Sequence, residues 1–380
     1  MPSTNLTLTR SDIAQEARLR VEEALRSHDP HLQETYYTFA DKTILPTYLD
    51  SGASRATIDT HETFWTVTGE ALRLFPAFGA SMSFMRSRFA RDVHHADESG
   101  AHVGGIHILP RVGFSDEQRL QDVKACGETR VGTALGVNES GTFLEALFEQ
   151  PNFCFASIDI AHGANAAVLP VLEKISDLGV SQGVILGNVG SIEGFLYAYW
   201  LMKLSGFEHI VIKVGIGPGS VCTTRINTGV GVGQFTLLEK INAAKRELGI
   251  DDVQIISDGG VNTAGDFVKA LALSDAVMMG KFFAGGSFED EVLIWEEGKL
   301  TGVHLYGMAS VMVTEKRNYI EGSTQTLRSF HHDAKEAILR LREGLQSAMT
   351  YVNAHTLPEF KANVRFVTNS AAAITESGVH

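Results

Sequence analysis

One cysteine in this chain is surrounded by residues suited to a nucleophile. Cys222 lies in GIGPGSVCTTR (215–225), where glycine, serine and threonine offer little apolar surface to bury a thiol against. A thiol attacks as thiolate, and a loop dense in backbone N–H groups with Arg225 three residues on favours that form. The same glycines expose carbonyl oxygens, which suits a loop wrapped around a cation. The string lacks the G-x-G-x-x-G spacing of a dinucleotide-binding turn, and no prompt helix is expected after it, so that reading is rejected. Cys126, on a helical stretch, and Cys154, at the opening of a strand, read as small buried hydrophobes. Glu321, in IEGS, would be solvated on pattern alone. The adjacent pairs His94-His95 and His331-His332 cannot converge on one metal as an i, i+4 pair can, and they read as surface.

These residues need elements to hold them. From about residue 76, short apolar runs closing on Gly, Asp, Asn or Ser alternate with longer helical stretches. The runs are 75–82, 102–109, 130–137, 153–163, 183–190, 209–219, 253–260 and 275–280. Eight strands separated by helices are the count of a closed (β/α)₈ TIM barrel, an α/β fold, with an open doubly wound sheet as the alternative. Barrel strands end at the face that carries chemistry, so Cys222 belongs to the loop after the sixth strand. SDGG (257–260) ends the seventh and Met279-Gly280 the eighth, where barrels often hold phosphate. Asp258 is placed there to accept hydrogen bonds from a ribose diol. A second region, 281–325, reads as irregular. Before the barrel, an amphipathic helix with an apolar stripe of Ile13, Ala17, Leu19, Val21 and Leu25 is capped by Ser11 or Asp12 and reads as a peripheral extension. The expected division is a helical extension over 1–36, a single barrel domain over 37–368 and a tail over 369–380.

Composition narrows the partners. The net charge of −13 with no basic cluster disfavours nucleic acid. The most apolar segment, GFLYAYWLM (194–202), is cut by Lys203, too short for a membrane span. The N-terminus lacks a secretory apolar region, so the cytoplasm is expected. The 37 glycines are neither periodic nor low in complexity and sit largely at the ends of apolar runs.

The string KVGIGPGSVCTTRINTGVG (213–231), with SDGG, MMGKFFAGG (278–286) and YGMAS (306–310) after it, resembles the IMP dehydrogenase and GMP reductase family. The resemblance runs from about 37 to 368 and takes in Ser54-Arg55, PAFGASM (76–82), IDIAHG (158–163), GNVGS (187–191) and LREGLQSAMTYVNA (341–354). Three features lean to the reductase branch: about twenty residues between strands two and three where dehydrogenases usually carry a regulatory insert, a very short Met308 to Glu321 segment in place of a long mobile flap, and IDIAHG, which is similar to the reductase motif.

The resemblance implies NADPH-dependent conversion of GMP to IMP and ammonia, with Cys222 as nucleophile and Thr224 with Glu321 as the proton-transfer pair. It implies nucleotide contacts at Asp258, Gly259, Gly260, Gly280, Lys281, Gly307, Met308, Ala309 and Gly322. Cofactor contacts carry over to Ser54, Arg55, Asp159, Ile160, Ala161, Gly215, Ile216, Met308, Ser347, Ala348, Met349 and Thr350. A potassium ion would take carbonyls of Gly217, Gly219, Cys222 and Arg225, and a homotetramer is expected. The chain departs from the family at Lys281, where glycine is usual, at His107-Ile108, which leaves Arg111 as a substitute cation, at Ala80-Ser81-Met82-Ser83, which removes a carboxylate, and around Arg317 to Glu321. Three alternatives stay open: the same chemistry on a modified 7-deazapurine nucleotide, an IMP dehydrogenase without its insert, and a non-catalytic nucleotide-binding paralogue.

Overall fold

The computed structural model describes residues 8–26, 35–49, 54–95, 104–283, 288–289, 292–307, 322–328 and 333–376. Eight parallel strands close into a barrel: β1 Ala77–Gly79, β2 Ile106–Leu109, β3 Val131–Leu135, β4 Phe153–Asp159, β5 Val184–Val189, β6 Ile210–Val214, β7 Val253–Asp258 and β8 Ala276–Met279. Each falls in its expected run. β8 pairs with β1 through Val277, Met278 and Met279, which closes the sheet. The open-sheet alternative is thereby excluded.

Side-chain alternation divides the core. Outward residues such as Ile210, Ile212 and Val214 join the layer beneath the helices, while inward residues such as Val211, Phe155, Ile256 and Met278 fill the barrel. The hairpin Glu62–Trp65 with Ala71–Leu74, which the sequence reading did not anticipate, plugs the N-terminal end. Its Phe64 stands edge-on to Phe78 and Phe155, with centroids 5.4 and 6.3 Å away. The Gln254 side chain donates to the Thr63 carbonyl at 2.9 Å. With that end sealed, ligands must enter at the opposite face.

Three expectations are corrected. The helix Arg10–Leu25 is capped by Thr9, whose hydroxyl and backbone N–H form a capping box with Asp12, so Asp12 is the third helical residue and not the cap. Ala17 and Val21 of the predicted stripe are buried, whereas Leu19 is exposed. The helix lies on Ile192–Leu204, the span holding GFLYAYWLM, with the Arg20 guanidinium 4.3 Å from the Trp200 ring centroid. The region read as irregular after β8 contains an antiparallel sheet of Leu293–Glu296, Lys299–Tyr306 and Thr324–Leu327. Finally, His94 and His95 are half-buried, with Nδ1 atoms on the carbonyls of Gly105 and Asp92. His331-His332 lies outside the described residues. Among the described residues no helix is long and apolar enough to cross a membrane.

Candidate active site

A cavity of about 490 Å³ opens at the C-terminal ends of the strands. Ala80, Ser81 and Met82 enter it after β1, Arg111 and Val112 after β2, and Asp159, Ile160 and Ala161 from β4. Asn188 comes from β5, Lys213 from β6, Asp258 and Gly259 from β7, and Met278 from β8. The loop after β6 forms one wall from Gly215 to Thr224, and Gly307 and Gly322 complete it.

Cys222 sits on that wall, half-buried, with Sγ 3.1 Å from the Thr224 hydroxyl oxygen. Thr224 opens the five-residue helix Thr224–Thr228, a turn that the sequence reading treated as loop. Gly217 adopts φ +86°, where a Cβ would also lie 2.9 Å from Arg225 Cγ, so only glycine lets the loop fold back over this arginine. The strand Thr324–Leu327 and the residues before it pin the loop from the other side. Cys222 bridges Gly322 in antiparallel fashion, and the Ser323 backbone N–H donates to the Val221 carbonyl at 2.8 Å. The Gln325 side chain donates to the Ser220 carbonyl. The other two cysteines are buried as expected, and burial pushes the Cys126 thiol up to about 12 and Cys154 upward too, which keeps both unreactive.

The same cavity holds an ionic group. Lys213 Nζ donates to Asp159 Oδ1 and Asp258 Oδ2, each at 2.9 Å. Asn188 Nδ2 also reaches Asp258 Oδ2 at 2.8 Å, and the Ser81 hydroxyl donates to Asp159 Oδ2 at 2.6 Å. Burial alone would raise the Asp159 pKa, but Lys213, Ser81 and Arg111 together hold it below the usual range. Burial opposes the charge on Lys213 as well, and its two carboxylates outweigh that and raise its pKa. Arg111 Nη2 donates to the Asp159 carbonyl at 2.9 Å, so this arginine does face the cavity. His107 does not. Its ring is fully buried against the carbonyls of Gly79 and Met85, and desolvation holds its pKa down to about 4.

A protein-family model described as the IMP dehydrogenase / GMP reductase domain matches residues 36–380. The chain belongs to the IMP dehydrogenase / GMP reductase family. It is 33% identical over 267 residues to an inosine-5'-monophosphate dehydrogenase of Aquifex aeolicus (strain VF5), covering 67% of this chain and 52% of that protein. It is 36% identical over 272 residues to the enzyme of that name from Streptococcus pyogenes, with the same coverage of each chain. A third, from Chlorobaculum parvum, is 33% identical over 291 residues, 71% of this chain and 57% of the relative. The chain thus spans about half the length of the curated relatives it matches.

Of the residues expected from the IMP dehydrogenase / GMP reductase resemblance, Cys222, Thr224, Asp258, Gly259, Gly307 and Gly322 line one cavity. Asp159, Ile160, Ala161, Gly215, Ile216, Gly217 and Gly219 share it. Gly260 stands behind the wall, and Gly280 backs onto Met82, whose Sδ would be 2.4 Å from a Cβ there. Lys281, in the short helical turn after it, is half-buried and is not on the cavity wall. Ser54, Arg55 and Ser347 to Thr350 form a separate group away from the cavity, with Arg55 Nη2 donating to Ser347 Oγ at 3.0 Å and Met349 buried in the core. Glu321, Met308 and Ala309 lie outside the described residues. Sequence reasoning missed Lys213, Asn188 and Pro218. A lysine inside IVIKV was the available sign, since a fully buried strand carries a charge only when it is paired.

Proposed function

We propose that the protein is a reductive deaminase of a purine nucleotide, converting GMP to IMP and ammonia with NADPH. The observation that carries this reading is the Cys222 thiol, 3.1 Å from the Thr224 hydroxyl, in the cavity that also holds Asp258 and Gly259. Cys222 as thiolate adds to C2 of the purine, and the 2-amino group takes a proton and leaves as ammonia. Thr224, with Glu321, is the route for that proton. NADPH when bound supplies a hydride to C2, and the C–S bond breaks to return the thiolate. Asp258 holds the ribose diol, with the glycines at the ends of β7 and β8 near the phosphate. Asp159, Ile160, Ala161, Gly215 and Ile216 would line the cofactor's reactive end, and the Ser54, Arg55 and Ser347 to Thr350 group would meet its remainder, in a tetramer.

A potassium ion suits the loop. The carbonyls of Gly217, Gly219, Cys222 and Arg225 are neutral oxygens of the kind a hard cation takes; those of Gly219 and Arg225 each accept one backbone N–H, from Cys222 and Gly229 at 3.1 Å, and keep a second lone pair. Such an ion would hold the loop in its nucleophile-presenting shape. The reductase direction, rather than the dehydrogenase direction of the named relatives, is supported by the short β2 to β3 connection and the short segment between Gly307 and Gly322.

The test mixes purified protein with GMP and NADPH and follows loss of the reduced-cofactor absorbance together with ammonia. Both signals are expected, and both should vanish in Cys222→Ala. Production of XMP from IMP and NAD would reverse the assigned direction. Turnover of a 2-amino-7-deazapurine nucleotide with none of GMP would move the assignment to that substrate, and binding without turnover of any nucleotide would end the enzyme reading.

A further inference from the structure

The ionic group that shares the cavity with Cys222 has a lysine at its centre that the mechanism above does not use. We propose that Lys213 is a positioning residue: it ties the substrate-side carboxylate Asp258 to the cofactor-side carboxylate Asp159 and fixes the orientation of Asp258, with one oxygen turned to the nucleotide ribose. The inference rests on the nucleotide reading for what the carboxylates face.

The strand pattern forces the contact. Val211 points into the barrel and Ile212 into the outer layer, so Lys213 points inward again, one layer above Val211 and level with the inward ends of β4 and β7. β5 lies between β4 and β6, and its residue beside the lysine is Gly187. A Cβ on Gly187 would lie 2.5 Å from Lys213 Cβ, so glycine leaves the passage by which the lysine stem crosses the barrel. The lysine side chain is 3% exposed, sealed beneath its partners. Two ion pairs at 2.9 Å consume its charge.

The orientation of Asp258 follows. Its Oδ2 takes both Lys213 and Asn188, and its Oδ1 accepts no hydrogen bond among the described residues. A carboxylate clamped at one oxygen and open at the other presents a fixed acceptor to a diol. Without the ammonium, the two carboxylates would face each other with no cation between them, and their mutual repulsion would push them out of place. Asp159 keeps Ser81 and the nearby Arg111 in that case, whereas Asp258 keeps the neutral Asn188. The weakened partner is therefore the substrate-side one.

The experiment measures GMP binding calorimetrically, without cofactor, for the full chain and for Lys213→Met, Lys213→Arg, and Lys213→Met combined with Asp159→Asn. Steady-state kcat and KM accompany it, and circular dichroism checks folding. Lys213→Met should weaken GMP binding by about tenfold or more, the scale of unpairing a buried charge. KM for GMP should rise more than kcat falls, and Lys213→Arg should recover most of the loss. Adding Asp159→Asn to Lys213→Met should restore part of the affinity, because removing one negative charge relieves the other; a merely structural lysine predicts a further loss. GMP affinity within about twofold of the wild type in folded Lys213→Met, or no relief from Asp159→Asn, would overturn the proposal. If Lys213→Met does not fold, Lys213→Gln, whose amide reaches one carboxylate at a time, is read by the same criteria. Binding of GMP without turnover would sink the reductase reading while leaving these comparisons intact, and absence of GMP binding to the wild type would sink both.

Discussion

Two lysines anchor carboxylate clusters at opposite ends of the barrel, and they are built differently. At the C-terminal end, Lys213 is 3% exposed while its partners Asp159 and Asp258 are 26% and 20% exposed, turned toward the cavity. At the N-terminal end, Lys361 meets Asp275 at 2.6 Å and Glu62 at 3.5 Å, and all three are between 22% and 25% exposed. Asp275 precedes β8 and takes the Ile255 N–H at 2.7 Å, Glu62 opens the plugging hairpin, and Lys361 belongs to the helix Leu357–Asn363. The lower cluster fastens three elements to one another and presents nothing. The upper one hides its cation and leaves carboxylate oxygens facing a space. The contrast matches the division in this fold between a stabilising face and a functional one.

The largest expected effect is at the functional face. Cys222→Ala should reduce turnover by about three orders of magnitude or more, because nothing replaces the thiolate of the proposed covalent step. Its unfolding midpoint in urea should match the wild type, since the thiol is half-buried and contributes little packing. A comparable loss of stability would mean that Cys222 belongs with the structural cluster.

Lys361→Met tests the reverse. Breaking this pair should cost about 2 kcal/mol, less than the 3–5 expected of a fully buried one, because solvent reaches a quarter of each side chain. Steady-state kcat and KM should not change. The loss also has a pH signature. Burial raises the Asp275 pKa, but Lys361 and Lys245 outweigh it, so the folded value lies below the ordinary range. Stability from such a carboxylate is complete above about pH 4 and is lost as pH falls through the lower folded value. Lys361 is shifted upward, burial being outweighed by Asp275 and Glu62, so its share persists below about pH 10 and fades above. The stability gap between wild type and Lys361→Met should therefore be flat at neutral pH and shrink in acid.

Much of the candidate site was legible because it is local. The Cys222 string carries its own glycines and hydroxyls, and Asp258 sits beside Gly259 and Gly260 within one turn. The barrel was legible because each strand run closes on a turn-forming residue. Lys213 was not legible as a site residue, since its partners lie 54 and 45 positions away and meet it only when β4, β6 and β7 share one interior. The plugging hairpin was missed for a related reason: ETFW and ALRL are short, and only the barrel mouth decides which faces are buried. The sheet after β8 did carry a local sign, the Glu297-Gly298 pair with positive φ at both residues, which is what a tight hairpin turn demands. The helix cap was ambiguous because Thr9, Ser11 and Asp12 are all capping residues, and the pairing of Thr9 with Asp12 decides among them.

The smallest effect asks whether the upper cluster acts as one unit or two. Ser81→Ala removes the 2.6 Å hydrogen bond to Asp159 Oδ2 and leaves Lys213 on the other oxygen. A hydrogen bond to a charged group is worth about 1.5 kcal/mol, and the part-exposed Asp159 can recruit water in its place, so a change of about fivefold or less is expected. If Asp159 serves the cofactor and Asp258 the nucleotide, that change falls on KM for NADPH, and calorimetric GMP affinity stays within error. Equal changes in both would mean that Lys213 transmits the disturbance from one carboxylate to the other. The lower cluster supplies the control, because its three members have no ligand to divide between them: Glu62→Gln should shift the unfolding midpoint slightly and move neither KM.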